Sequence, residues 1–333
     1  MEKFLPPAQA GVHLQSAKPM AHFGMNEFLI HNRGGVEWLE SSRFAAMSWL
    51  IHAFSTRMAS GNGARGRDLN LDTPKGTAAR ALLANRQKFM RAIGTADLKL
   101  AAVHQIHSDK ILEVGAGQDG RLAFGAPGYP QSSAMPDECQ ADALVTQRPG
   151  VLLSIRAADC MPILLADVKK RVVAAVHAGR RGALNRIGEK TVGEMQRVFG
   201  SRPQDILAAV GPSIGVCCYR VGPEVVDAFS GAFVNSDEFI ERPAIMPGDA
   251  LKPPPPSFLS RFPPGHDPGP ETAFKLDLAA VARCQLEAAG VPRKSILISG
   301  ACTSCQNDRF FSYRKEGVRA GRMMAVIGIR PDR

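Results

Sequence analysis

The stretch AADCMPILLADVKKRVVAAVHAGRRG, residues 157–182, limits what this chain can fold into more than any other. Two apolar runs, 162–167 and 171–176, are joined by only a few residues, so they predict an antiparallel strand pair. A turn at Val168–Lys169 makes paired residue numbers sum to 337: Asp167 with Lys170, Leu165 with Val172, and Cys160 with His177. Directly opposed side chains share a face with Cβ atoms ~4.5–5.5 Å apart, a spacing that suits two ligands converging on one ion. A slip of one residue would send them to opposite faces. Val-Lys is not a favoured two-residue turn, so the register depends on that turn.

Around this hairpin, short β-like and helical stretches are interleaved. KGTAARALLANRQKFMRAIG predicts an amphipathic helix, with Leu82, Leu83, Arg86, Phe89 and Ile93 at helical spacing and Gly94 as its stop. LKLAAVHQIHSDKILEV reads as two short strands around HSDK; ADALVT and VLLSIRA read as strands beyond a Gly/Pro/Ser-rich loop at 115–138. RGALNRIGEKTVGEMQRVFG predicts one helix from about 181 to Gly200, with Leu184, Ile187, Thr191, Met195 and Val198 on one face. A short helix near Pro223, a proline-rich surface loop at 247–270, a helix capped by Asp277 and Gly290, and a final strand MMAVIGI follow. GNGARG at 61–66 neither follows a strand nor opens a helix, so it is not read as a phosphate loop. The predicted fold class is α/β (α+β): a single domain with mixed β-sheets flanked by helices, over 46–333. A variable N-terminal segment, 1–45, holding a strand at NEFLIHN and a short helix, precedes it.

The chain's 333 residues are enough for a well-buried core, and 45% hydrophobic with 22% charged residues is ordinary globular composition. A formal charge of +10 raises the question of nucleic acid, but the 41 Lys and Arg are dispersed and only 6% of residues are aromatic. That balance favours small anionic substrates over nucleic acid. No apolar run approaches the ~20 residues of a membrane span, and MEKFLPPAQAGVHLQ lacks a secretory pattern. A cytoplasmic protein without a membrane partner is expected. Seven dispersed cysteines point to free thiols rather than a disulfide scaffold. Cys302 and Cys305 form a C-x-x-C with no second pair at zinc-ribbon spacing, and the adjacent Cys217 and Cys218 read as core.

A catalytic metal site needs three protein ligands and an open position. With Cys160 and His177 as two, the third comes from His104 or His107 in VHQIHSDK, and spacing alone does not choose. A thiolate with neutral imidazoles suits zinc; the alternative is a small buried Cys160 and a hydrogen-bonded His177. AGRRG then leads into the helix at about 181, bringing Arg180 and Arg181 and free helix N–H groups beside the proposed metal. A phosphate-like substrate group and an activated water are the chemistry this suggests. Asp159, next to Cys160, could orient a ligand or take a proton.

From about Phe54 to the C-terminus the chain resembles the YfiH family, also called multicopper polyphenol oxidoreductase or laccase-domain proteins. The resemblance rests on ten blocks in the family's order: FSTR, LNL, NR, QIHS, ADALVT, ADCMPILLAD, VHAGRRG, GPSIGVCCYRVG, FKLDL and CTSCQNDRFFSYRKEGVRAGR. It implies a CNF1/YfiH-like fold and a zinc site built from His107, Cys160 and His177, so it selects His107 over His104. It also implies phosphorolysis of purine nucleosides (adenosine, inosine, guanosine, methylthioadenosine) and deamination of adenosine. Peptidoglycan-precursor editing belongs to some bacterial members. The chain departs from the family at Arg180, where tryptophan is common, and at Ser213 and Val216; the Arg180 change bears on substrate preference.

The expected function is therefore a zinc-dependent purine nucleoside enzyme acting on nucleoside and phosphate. His107, Cys160 and His177 hold the metal; Cys160, His177 and Asp159 do the chemistry; Arg57, Arg180 and Arg314 contact anionic groups. Multicopper oxidation demands many histidines, largely as H-x-H pairs, and this chain has eight histidines and no H-x-H. A Cys–His thiol hydrolase and a basic RNA-binding accessory protein are the other readings.

Overall fold

The computed structural model describes residues 27–59, 68–72, 79–117, 120–128, 132–133, 139–243 and 273–331. The glycine-rich 61–66 and proline-rich 247–270 stretches lie outside the described residues.

Strands Met161–Asp167 and Val172–Ala178 are buried at every position because both faces of their sheet are covered. They occupy the centre of an eight-stranded sheet, in the order Ile296–Ile298, Ile206–Val210, Met161–Asp167, Val172–Ala178, Ala143–Thr146, Ile111–Ala116, Leu122–Gly125, Ser132–Ser133. A six-stranded sheet runs in the order Phe28–Arg33, Val36–Ser41, Leu50–Ala59, Met323–Ile329, Val151–Ala157, Lys99–Ala101. A small third sheet joins Arg220–Val221, Phe274–Leu276 and Ile240–Glu241.

The two large sheets pack face to face. Leu164, Ala166, Val173 and Ala175 of the larger meet Phe54, Leu153, Ile155, Ala325 and Ile327 of the smaller in one apolar cluster. The opposite residues of the hairpin, Ile163, Leu165, Ala174 and Val176, pack on Val192 and Met195 of helix Ile187–Phe199 and on Val281 and Leu286 of helix Leu278–Ala288. On the outer face of the six-stranded sheet, Ile51, Ala53 and Val326 cover Phe89 and Ala92 of helix Ala79–Ala92. The mixed-sheet α/β expectation is met in this layered form.

Several local expectations are corrected. The hairpin register pairs Pro162 with His177 and Asp167 with Val172, so numbers sum to 339 rather than 337. The loop is four residues, Val168 to Arg171, because Asp167 Oδ1 accepts from the N–H groups of Lys169 and Lys170 and Arg171 takes a left-handed φ of 53°. This moves Cys160 opposite Gly179, yet a shift of two keeps it on His177's face.

The helix expected from 181 to 200 is two, Arg180–Leu184 and Ile187–Phe199, broken at Arg186 with φ 60°. Tertiary contacts hold that break. Arg186 donates to the Ala232 carbonyl at 2.7 Å and lies over the Phe233 ring, while buried Gln285 donates to the Ala183 carbonyl and accepts from Gly188 N–H. In helix Ala79–Ala92, Leu83 is exposed. It lies about 120° round the helix from buried Phe89 at ~100° per residue. The Asp277 cap is present, accepting from Ala280 N–H at 3.0 Å. Residues 28–41, read from sequence within the N-terminal segment, form two strands of the six-stranded sheet, with Leu39 paired to Phe54.

His52 is buried inside this sheet, where its Nε2 accepts from Ser41 N–H at 2.7 Å and its ring meets Phe44 edge-on. Burial lowers its pKa from 6.5 to about 3. A depressed histidine pKa favours the folded state at neutral pH, and that stability is lost as pH falls from the unfolded value of 6.5 toward 3. Denaturant titrations at pH 6.5 and pH 5 should differ by about 1.7 kcal/mol from this group alone, the slope rising toward ~1.4 kcal/mol per pH unit once the unfolded histidine is fully protonated. A His52→Gln variant should lack that component of the acid sensitivity; an unchanged acid slope would refute it.

Candidate metal centre

His177 is the penultimate residue of the strand Val172–Ala178, on the face that meets the six-stranded sheet, so it sits at the rim of the inter-sheet core. Cys160 lies just before Met161–Asp167, and His107 sits in a bend between the strands Lys99–Ala101 and Ile111–Ala116. Their ligand atoms all fall within 4.8 Å of one another. Cys160 Sγ is 3.7 Å from His107 Nε2, and the two imidazole rings stand edge to face at 76° with centroids 4.9 Å apart. A tetrahedral zinc with Zn–N and Zn–S bonds of ~2.0 and ~2.3 Å separates such atoms by about 3.6 Å. His177 is buried, Cys160 half-buried and His107 exposed, so the group opens to solvent on one side. The residue types and spacing fit a zinc-class ion with a free position.

One buried carboxylate sets both imidazoles. Asp142, fully buried at 0% exposure, accepts from His177 Nδ1 at 2.8 Å, which leaves His177 Nε2 as the ligand atom. The same carboxylate accepts from the N–H groups of Ile106, His107 and Ser108 and from Ser108 Oγ. These bonds hold His107 at a left-handed φ of 58°. Two residues before His107, Gln105 is anchored by exchanging bonds with both backbone groups of Arg156. Burial opposes ionisation of Asp142, but the bonds from His177 and Ser108 prevail and hold its pKa below the usual range. Burial also opposes the Cys160 thiolate, yet His177 and His107 beside it draw its pKa down to about 6. His177, against its own burial, is raised to about 9 by Cys160 and Asp142.

His104, the other sequence candidate, is exposed, pairs with Gln140 through a β-bridge, and is not in the ligand group. Asp159 has a left-handed φ of 87°; its oxygens accept from Thr303 Oγ1 and Arg314 N–H, each at 2.6 Å. Arg314 also donates to the Arg220 carbonyl and lies over the Tyr219 ring at 5.4 Å. Tyr219 is raised to about 12, first by burial; Arg180 and Arg314 oppose that shift, and Cys160 and Asp159 add to it. These groups therefore share one neighbourhood with the metal group. Arg57 forms a two-pronged pair with Asp68, meets Glu316 at 3.1 Å, donates to the Asn307 carbonyl and lies over Phe311. Arg180 opens a helix of only five residues, too short for a large dipole.

Sequence reasoning missed Asp142, Tyr219 and Gly179. Asp142 was visible as a carboxylate opening the otherwise apolar ADALVT, and Tyr219 as the residue after the cysteine pair. Gly179 matters sterically: a Cβ there would sit 2.9 Å from Cys160 Sγ and 3.0 Å from His107 Cδ2. Its φ of −76° suits alanine. Gly179→Ala should therefore leave the fold intact and weaken metal binding on the order of 10–100-fold, as loss of ligand orientation does. Competition with a chromogenic chelator would measure this; wild-type affinity in the variant would mean the three atoms do not share an ion.

The fold and this His–Cys–His group define a layered α/β domain carrying a candidate metal centre. The chain belongs to the family described as multi-copper polyphenol oxidoreductase laccase, whose sequence model matches residues 51–330. It is 35% identical over 278 residues to a purine nucleoside phosphorylase of Deinococcus radiodurans, covering 84% of this chain and 88% of that one. It is 33% identical over 264 residues to the purine nucleoside phosphorylase YlmD of Geobacillus stearothermophilus, covering 79% and 84%. Over 186 residues it is 37% identical to the adenosine deaminase RL5 of an unknown prokaryotic organism, covering 56% and 61%. Among solved structures, the hypothetical protein YfiH of Bacillus licheniformis superposes with a TM-score of 0.71 at 26% identity, covering 92% of this chain and all of that one. YlmD of G. stearothermophilus gives 0.68 at 27% identity, covering 92% and 99%. No helix among the described residues is long and apolar enough to cross a membrane.

Proposed function

We propose that this protein is a zinc-dependent purine nucleoside enzyme. It would split nucleosides with phosphate into free base and ribose 1-phosphate, and would also be able to deaminate adenosine. The observation that carries this is the convergence of His107, Cys160 and His177 on one point with a solvent-facing side, in a chain similar to relatives named for these activities.

His107 Nε2, Cys160 Sγ and His177 Nε2 would hold the ion, with Asp142 fixing the His177 tautomer. When bound, zinc would supply Lewis-acid activation of a water or of a substrate oxygen. Arg180 and Arg314 are the cations we assign to phosphate. Arg57, already engaged by Asp68 and Glu316, would contribute by fixing the Asn307 loop unless an incoming anion displaced a carboxylate. In phosphorolysis a phosphate oxygen bonds to C1′ as the bond from C1′ to the purine nitrogen breaks, and the base takes a proton. In deamination water replaces the 6-amino group and ammonia leaves. Asp159 is the carboxylate we assign to proton transfer; its two accepted bonds leave lone-pair capacity on both oxygens.

Incubating zinc-loaded protein with adenosine or inosine, with and without phosphate, tests the reading. Base with ribose 1-phosphate means phosphorolysis, and inosine from adenosine means deamination; turnover of none of them would refute it. Metal analysis separates zinc from copper.

A second reading has its own support. Cys160, His177 and Asp142 also follow the order of a nucleophile, base and orienting carboxylate, with Cys160 drawn down to about 6. A thiol hydrolase would be inactivated by alkylation of Cys160 and indifferent to chelators, whereas a metal enzyme would show the reverse.

A further inference from the structure

Four of the seven cysteines form a second cluster that the proposed reaction does not use. Cys217, Cys218, Cys302 and Cys305 have their sulfur atoms within 4.8 Å of one another. The sequence expectation of an isolated C-x-x-C and a buried adjacent pair is corrected here. Cys217 is exposed and Cys218 half-buried, and they supply the second pair across the fold. The segments meet through a β-bridge between Ser213 and Cys302, with Ser213 N–H donating to the Ala301 carbonyl and Thr303 N–H to the Ser213 carbonyl.

We propose that these four cysteines bind a structural zinc ion as a tetrathiolate. Cys305 Sγ lies 3.4 Å from both Cys217 Sγ and Cys218 Sγ. A disulfide requires ~2.05 Å, whereas four sulfurs around zinc at ~2.3 Å lie about 3.8 Å apart. The spacing is much nearer to coordination than to a bond, and Cys305 is equidistant from two sulfurs. Backbone N–H groups already face the Cys302 sulfur, from Gly215 at 3.2 Å and Cys305 at 3.5 Å. Such donors stabilise a ligating thiolate. Gly215 is needed for space as well: a Cβ there would meet Cys217 Sγ and Cys302 Cβ at 3.2 Å. Four thiolates leave no open position, which marks a structural rather than a catalytic ion.

Such an ion would brace the loops that frame the first centre. Ile214 N–H donates to the Asp159 carbonyl and Thr303 Oγ1 to its carboxylate, so both cysteine-bearing segments grip the residue next to Cys160. Tyr219 follows directly after Cys218. The proposal stands whether or not the substrate is a purine nucleoside.

Zinc per chain, measured by elemental analysis of purified full-length protein, is the test. Wild type should carry one more zinc than Cys217→Ser/Cys305→Ser, and His107→Ala/His177→Ala should retain the ion that the cysteine variant loses. In case the cysteine variant does not fold, wild-type protein is treated with iodoacetamide before and after metal removal by a strong chelator. The four thiols should be protected until one equivalent of zinc is released. Equal zinc in wild type and the cysteine variant would overturn the proposal. So would free alkylation of all four in the native protein, or an intact mass showing Cys305 oxidised to a disulfide, or iron in place of zinc.

Discussion

Cys160→Ala is expected to empty the His–Cys–His centre and lower turnover of purine nucleosides on the order of 10³-fold, because metal activation is worth several kcal/mol. The thiol is half-buried and at the solvent side of the core, so the variant should fold and its melting temperature should move little. That separation makes the experiment informative. Metal content and turnover should fall together while the circular dichroism spectrum stays native. Full turnover with the ion lost would exclude a metal role, and full metal content would exclude Cys160 as a ligand. Cys160→Ser, which keeps size but replaces a soft ligand by a hard one, should recover little of the zinc.

Asp142→Ala is expected to be the most damaging single change to the site and the fold together. The carboxylate is the partner of four N–H groups and a hydroxyl. Removing it strands the part-buried donors of Ile106, His107 and Ser108 and the buried His177 imidazole, whose pKa is raised to about 9. Breaking a buried charged partnership of this kind costs about 3–5 kcal/mol, and losing the orienting carboxylate weakens metal binding ~10–100-fold. Denaturant unfolding and chelator competition measure the two effects separately. A variant within ~0.5 kcal/mol of wild type and with unchanged metal affinity would mean that the geometry at Asp142 carries no energy.

Much of the site could be read from residue types and parity. Cys160 and His177 fall on one face whether pair numbers sum to 337 or 339, because side chains alternate with period two. The third candidate ligand could not be read that way. His107 sits outside any strand, at a positive φ that depends on a carboxylate 35 residues away. The helix after Gly179 showed the same limit. Its apolar spacing was correct through Ile187, Thr191 and Met195, but the break at Arg186 depends on Ala232, Phe233 and Gln285, all distant in sequence. The cysteine cluster was invisible because its two pairs lie 87–88 residues apart; no spacing rule spans that distance.

The amino-acid order alone determined the hairpin, the helix ends at Asp277 and Gly290, and the shared face of a thiol and an imidazole. Each of these follows from capping or periodicity acting over a few residues. Tertiary structure decided the break at Arg186, the posture of His107, the tautomer of His177 and the meeting of four distant sulfurs. Those depend on burying both faces of a central sheet and on pairing every polar group that the burial cuts off from water, a balance struck across the whole chain.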